Sequence, residues 1–129
     1  MSVGILLVTH PGIGAAVLHT VTRILGQLPL PTQCLEVPPG AQPDVLLAQA
    51  EDSAGHLDTG DGVLVLTDIY GATPSNVACR LASRQGIAVV SGLSLPMLIR
   101  VYNYADRDLQ ALRDSAAEGG VRGIRIMPQ

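Results

Sequence analysis

The chain has 129 residues, 47% of them apolar and 15% charged, which predicts one globular domain spanning 1–129 with a sizeable core and excludes a disordered segment. A net charge of -3 and a pI near 5.4 give no electrostatic basis for binding nucleic acid or an anionic membrane. All 8 basic residues are arginines, and the absence of lysine excludes a P-loop, a Schiff base and a polybasic patch.

In chain order, the first element is an apolar run from Val3 to Val8 that stops at Thr9-His10, followed by a Pro11-Gly12 turn. Such a run reads as a parallel strand buried on both faces, and the carboxyl ends of such strands are where open α/β sheets place ligands. Ile13, Val17, Val21, Ile24, Leu25 and Leu28 then recur at helical spacing, with His19 and Arg23 on the outer face, until Pro29-Leu30-Pro31 ends the helix. Thr32 to Val37 reads as a second strand. Pro43 and Asp44 open a second helix whose buried side is Leu46, Leu47, Ala50, Ala54 and Leu57. His56 meets the carboxyl-terminal dipole of that helix.

After the Asp58–Gly62 turn cluster, Val63 to Thr67 forms a third strand that stops at Asp68. Ile69 to Ala72 is a loop, and Thr73-Pro74 predicts a helix start with Thr73 as N-cap and Pro74 at N1. Ile87 to Ser91 is a fourth strand, Ser94 caps a short helix through Val101, and a further helix from about Asp106 ends at Gly119-Gly120. Val121 to Met127 reads as a last strand with no following helix, so it pairs antiparallel at an edge or across a dimer interface. The fold class is therefore α/β, doubly wound and mostly parallel. Cys34 and Cys79 form no Cys-x-x-Cys or Cys/His cluster and read as small buried residues in a reducing compartment. No metal or cofactor is expected. With no basic amino-terminal region and no apolar run near the roughly 18 residues of a span, the expected location is cytoplasmic.

The chemistry concentrates in two loops. Strands one and three each end in an ionisable residue, a glycine-bearing turn and a helix. Under a strand order of 2-1-3-4, the switch point between them brings His10 and Asp68 to one crevice. A carboxylate that accepts the Nδ1 proton of an imidazole fixes its tautomer and frees Nε2 as a nucleophile. The helices after Gly12 and at Thr73 both aim N–H groups at that crevice. A histidine among neutral anion-binding donors, without a cationic clamp, suits transient phosphoryl capture. Taken singly, each residue also fits a simple strand-end or turn role.

The stretches Val8-Thr9-His10-Pro11-Gly12 and Asp58 through Asn76, with Gly92-Leu93-Ser94-Leu95-Pro96-Met97-Leu98, resemble the mannose/fructose-class EIIA of the bacterial phosphoenolpyruvate-dependent sugar phosphotransferase system (PTS). The resemblance implies phosphorylation of His10, orientation by Asp68, and phosphate contacts from Thr9, Gly12, Gly71, Ala72, Thr73 and Ser94. It implies phospho-HPr as donor and EIIB as acceptor, with the membrane reached only indirectly through EIIC and EIID. It also implies a 2-1-3-4 sheet in a homodimer that exchanges the terminal antiparallel strand. The chain departs from the family pattern at Pro11, where glycine is common and an N–H is lost, and mildly at Tyr70, Ala72 and Ser94. Because it ends at Gln129 without a linked EIIB, it is expected to act in trans. The alternatives are a regulatory phosphoprotein without sugar transport and the related phosphocarrier of dihydroxyacetone kinases.

Overall fold

The computed structural model describes residues 2–128. Its elements are β1 (Gly4–Thr9), α1 (Ile13–Leu25), β2 (Thr32–Glu36), α2 (Pro43–Leu57), β3 (Val63–Thr67), α3 (Thr73–Leu81), β4 (Ile87–Ser91), α4 (Leu95–Asn103) and α5 (Leu109–Arg122). The strands form one sheet in the order β2-β1-β3-β4, and every pairing is parallel. This is the α/β, doubly wound sheet and the strand order expected from the sequence.

The two central strands are buried at every position, which is why each reads as an unbroken apolar run. Side chains alternate between the sheet's faces. Ile5, Leu7, Leu64 and Leu66 meet Val21, Leu98, Val101 and Leu112 on one face. Leu6, Val8, Val63 and Val65 meet Leu46, Ala50, Val77 and Leu81 on the other. Each fully buried leucine or valine contributes about 1.5–3 kcal/mol, so these two layers hold β1 and β3 in the register Leu7↔Leu66 and Val8↔Thr67. On the first face Tyr102 places its hydroxyl 2.6 Å from Thr32 Oγ1, which itself donates to the Leu30 carbonyl. Burial pushes the Tyr102 hydroxyl up to about 12, so it remains a donor.

Four local expectations change. α1 ends at Leu25, a turn before the proline cluster, because Gly26 takes φ 83° and donates its N–H to the Thr22 carbonyl. α5 begins at Leu109, with Asp108 accepting from the Ala111 N–H as its cap. It also runs past Gly119-Gly120 to Arg122. Those glycines serve close packing rather than termination: a Cβ on Gly119 would lie 2.5 Å from the Arg100 Cβ. Finally, Cys34 and Cys79 are exposed rather than buried. Cys34 lies on the edge strand β2, where partial burial and the charge of Glu36 push its thiol pKa up. It therefore has the character of a protonated thiol and not of a nucleophile.

The expected last strand is not formed within one chain. Val121 and Arg122 complete α5 and residues 123–128 adopt no strand. Val121, Ile124, Ile126 and Met127 are all exposed. The sheet of the described residues holds four strands, β2-β1-β3-β4, and this segment is not among them. β4, at one edge of the sheet, is only half-buried along its whole length.

Candidate functional site

The paired register of β1 and β3 delivers His10 and Asp68 side by side at the carboxyl edge of the sheet. Asp68 Oδ2 accepts from the His10 backbone N–H at 2.9 Å and lies 2.8 Å from His10 Nδ1. Its Oδ1 accepts from the Ile69 N–H at 3.1 Å. Burial by itself would raise the Asp68 pKa, but the hydrogen bonds from the His10 backbone and ring outweigh it and hold the carboxyl below its ordinary value. An ionised carboxylate only accepts hydrogen bonds, so Nδ1 carries the hydrogen and Nε2 presents its lone pair. The His10 side chain is 47% exposed and that of Asp68 12%. The ring faces solvent on a nearly buried anchor.

The two helix N-termini at this edge differ. α1 starts after Gly12, which takes φ 84° and supplies no side-chain cap. Every N–H of its first turn is nevertheless used. Ile13 donates to the His10 carbonyl at 3.3 Å and Ala16 to the Gly12 carbonyl at 3.3 Å. Gly14 donates to Thr9 Oγ1 at 2.9 Å and Ala15 to Glu36 Oε2 at 3.2 Å. Thr9 is fully buried and its hydroxyl donates to the His10 carbonyl at 2.8 Å. Thr9 thus offers no group to an incoming phosphate, contrary to its expected contact. It fixes the turn that carries His10.

α3 is open by comparison. Its N-cap is Ala72, extended at φ -90° and ψ 171°, and Thr73 is the first helical residue rather than the cap. The methyl side chain of Ala72 cannot bond the first-turn amides. Pro74 has no N–H. Asn76 donates to the Ala72 carbonyl at 2.9 Å, while the N–H groups of Thr73 and Ser75 take no partner among the described residues. Gly71, at φ 88°, donates to Ser75 Oγ at a long 3.4 Å. This is the end of the site that can receive an anion.

The β4–α4 loop reaches the same edge because the Leu93 N–H donates to the Thr67 carbonyl at 2.9 Å. Ser94 caps α4 by accepting from the Met97 N–H at 3.3 Å, as expected, which leaves its O–H to donate elsewhere. His19 is exposed on α1. His56 Nδ1 lies 2.8 Å from the Asp52 carbonyl at the end of α2. Neither reaches the site. Glu36, at the end of β2, escaped the sequence reading. The available signal was a third ionisable residue at the carboxyl end of a strand, one position earlier relative to its strand's end than His10 and Asp68.

Among the described residues there is no group of three or more His, Cys, Asp or Glu that could hold a metal ion, and no helix is long and apolar enough to cross a membrane. The arrangement is an oriented, exposed imidazole beside a helix end with unpartnered amides. Comparisons with known proteins show what the chain is similar to. The chain is 28% identical over 134 residues to the PTS system mannose-specific EIIAB component of Escherichia coli K12, covering 99% of this chain and 41% of that protein. It therefore spans about two fifths of the length of that curated relative. Its structure matches the mannose/sorbose-specific IIA subunit from Enterococcus faecalis with TM-score 0.87 at 21% identity, over 100% and 97% of the two chains. It matches a phosphotransferase system EIIA from Streptococcus agalactiae with TM-score 0.82 at 23% identity, over 98% and 97%. At these identities the structural matches establish the fold. The family model described as the PTS system fructose IIA component matches residues 4–117, and the chain belongs to that family.

Proposed function

We propose that this protein carries a phosphoryl group on His10 Nε2, taking it from phospho-HPr and passing it to an EIIB component for sugar uptake. Its family makes it a component of PTS sugar phosphotransfer. The observation that carries the finer reading is the 2.8 Å contact of Asp68 with His10 Nδ1, which leaves Nε2 on the exposed side of the ring. In the proposed transfer the Nε2 lone pair bonds to phosphorus as the donor's N–P bond breaks. Asp68 keeps the Nδ1 hydrogen and offsets the positive charge that the phosphorylated ring acquires. The open amides of Thr73 and Ser75, the Thr73 hydroxyl and the Ser94 O–H would take the phosphoryl oxygens. Gly71 and Ala72 leave the approach to that helix end uncrowded, and Gly12 turns the chain away from it. Pro11 contributes no amide.

Exposed Ile13, Ile69 and Tyr70 flank the histidine, an apolar rim suited to a protein carrier more than to a small polar substrate. Exchange with HPr and EIIB would place the chain in the cytoplasm. The homodimer belongs to the same proposal. The free edge of β4 lines a cavity of about 510 Å³ with Tyr70, Cys79 and Arg113. The exposed segment from Val121 to Met127 has the apolar content to fill the equivalent groove of a second copy as an antiparallel strand.

The test is phosphate incorporation from phosphoenolpyruvate with enzyme I and HPr. One acid-labile phosphate per chain is expected, lost in His10→Ala and passed on when an EIIB component is added. Normal uptake by His10→Ala would overturn the assignment.

A further inference from the structure

We propose that Glu36 sets how tightly the phosphoryl group is held on His10, by closing the α1 helix end with a negative charge. The inference rests on the phosphocarrier reading above and extends it to a residue outside the His10–Asp68 pair. Glu36 is the last residue of β2 and is paired in register with Thr9 on the neighbouring strand, so it stands one strand, about 4.8 Å, from the chain that carries His10. Its Oε2 accepts from the Ala15 N–H at 3.2 Å. The other first-turn amides of α1 are filled by the Thr9 hydroxyl and by the His10 and Gly12 carbonyls. Among the described residues no arginine pairs with Glu36: Arg80, Arg84, Arg100, Arg113 and Arg122 are engaged by acids elsewhere.

The physical consequence follows from the charges. A free helix N-terminus carries about half a positive charge and would attract a phosphoryl dianion. With Glu36 bound, the α1 end becomes net negative, and attraction for the phosphoryl group is left to the α3 end and to the neutrally capped α4 end. Because Glu36 is in register with Thr9 and holds the Ala15 amide of the helix that follows His10, its charge, screened over roughly 8 Å at physiological ionic strength, raises the free energy of phospho-His10 relative to the unmodified ring. The phosphoryl group is then captured but remains transferable. A neutral residue here would leave it more firmly held.

The experiment measures the equilibrium constant for phosphoryl exchange with phospho-HPr for the wild type and for Glu36→Gln, Glu36→Asp and Glu36→Ala. Glu36→Gln removes the charge and can still accept from Ala15, so the equilibrium should shift about three- to tenfold toward the phosphorylated form. Glu36→Ala should shift it at least as far. Glu36→Asp keeps the charge on a shorter stem and should stay within twofold of wild type. The Glu36→Gln shift should shrink as salt is raised. A Glu36→Gln equilibrium within 1.5-fold of wild type (about measurement error), with phosphorylation otherwise normal, overturns the proposal for Glu36 alone. Failure of the wild type to take phosphate from phospho-HPr overturns the carrier reading and this inference with it. A helix cap without electrostatic effect would lower thermal stability in Glu36→Ala and leave every equilibrium constant unchanged, which also overturns it.

Discussion

The β1–α1 and β3–α3 turns are built alike and finished differently. Each is a buried strand ending in threonine, then an ionisable residue, a positive-φ glycine and a helix. In the first, Thr9 Oγ1 is bonded in both directions and α1 has no free amide in its first turn. In the second, Thr67 Oγ1 is buried without a hydrogen-bond partner and α3 begins at an alanine cap. Strand alternation accounts for part of this. Thr9 falls on the face where α1 packs, one turn from Gly14, whereas Thr67 falls on the α2–α3 face with Val63 and Val65. One turn is a rigid mount for His10. The other leaves its first amides open.

Substitutions in the two turns should therefore separate chemistry from stability. The largest effect is expected where the turns meet. Asp68→Asn keeps a carbonyl oxygen for the His10 N–H but removes the charge that fixes the Nδ1 hydrogen, so the rate of phosphoryl uptake should fall about 10²-fold or more. Rapid-quench phosphorylation measures it, and wild-type kinetics would remove Asp68 from the mechanism. The pH dependence has a defined sign. The folded-state pKa of Asp68 is depressed, so its contribution to stability is complete above the unfolded carboxylate pKa and is lost as pH falls through the lower folded value. Stability followed by circular dichroism should therefore fall more toward acid in the wild type than in Asp68→Asn, which lacks this contribution at every pH, so that the difference between the two narrows as pH drops.

A second, smaller effect isolates the open helix end. Thr73→Pro deletes one amide at the first helical position, where proline is tolerated, and Ala72 already has the extended backbone that must precede it. The melting temperature should change little while phosphate uptake falls about tenfold or more. Thr73→Ala, which keeps the amide, should retain more activity. Equal activities for the two variants would show that the amide is not a ligand of the phosphoryl group.

The smallest effects compare the equivalent threonines by denaturant unfolding. Thr9→Val strands the buried Gly14 N–H and should cost about 1–3 kcal/mol. Thr67→Val removes a hydroxyl that has no partner and should lie within about 1 kcal/mol of wild type on either side. Phosphate uptake per folded molecule should change by no more than about twofold in Thr9→Val, since its role is to mount the histidine. A Thr67→Val cost equal to that of Thr9→Val would erase the distinction between the turns.

Much of this molecule was legible from residue order because the signals were local. The continuous apolar runs of β1 and β3, the proline at Pro43 and the serine cap at Ser94 each act within a few residues of themselves, and His10 and Asp68 stood out as ionisable ends of apolar strands. Boundaries governed by distant packing were misread. Gly119 looks like a stop signal until Arg100 is seen against it, and Val121 to Met127 looks like a strand, whereas its first two residues complete α5 and the rest adopt no strand.

The sequence by itself determined the alternation of strands and helices and the two candidate residues, since hydrophobic period and turn chemistry are properties of neighbouring positions. Only the tertiary structure decided which groups share the carboxyl edge, which tautomer Asp68 imposes on His10, and which of two similar helix ends is filled. Those outcomes depend on contacts between residues 21 to 58 positions apart. Chain order does not encode such distances until the sheet has brought its strands together.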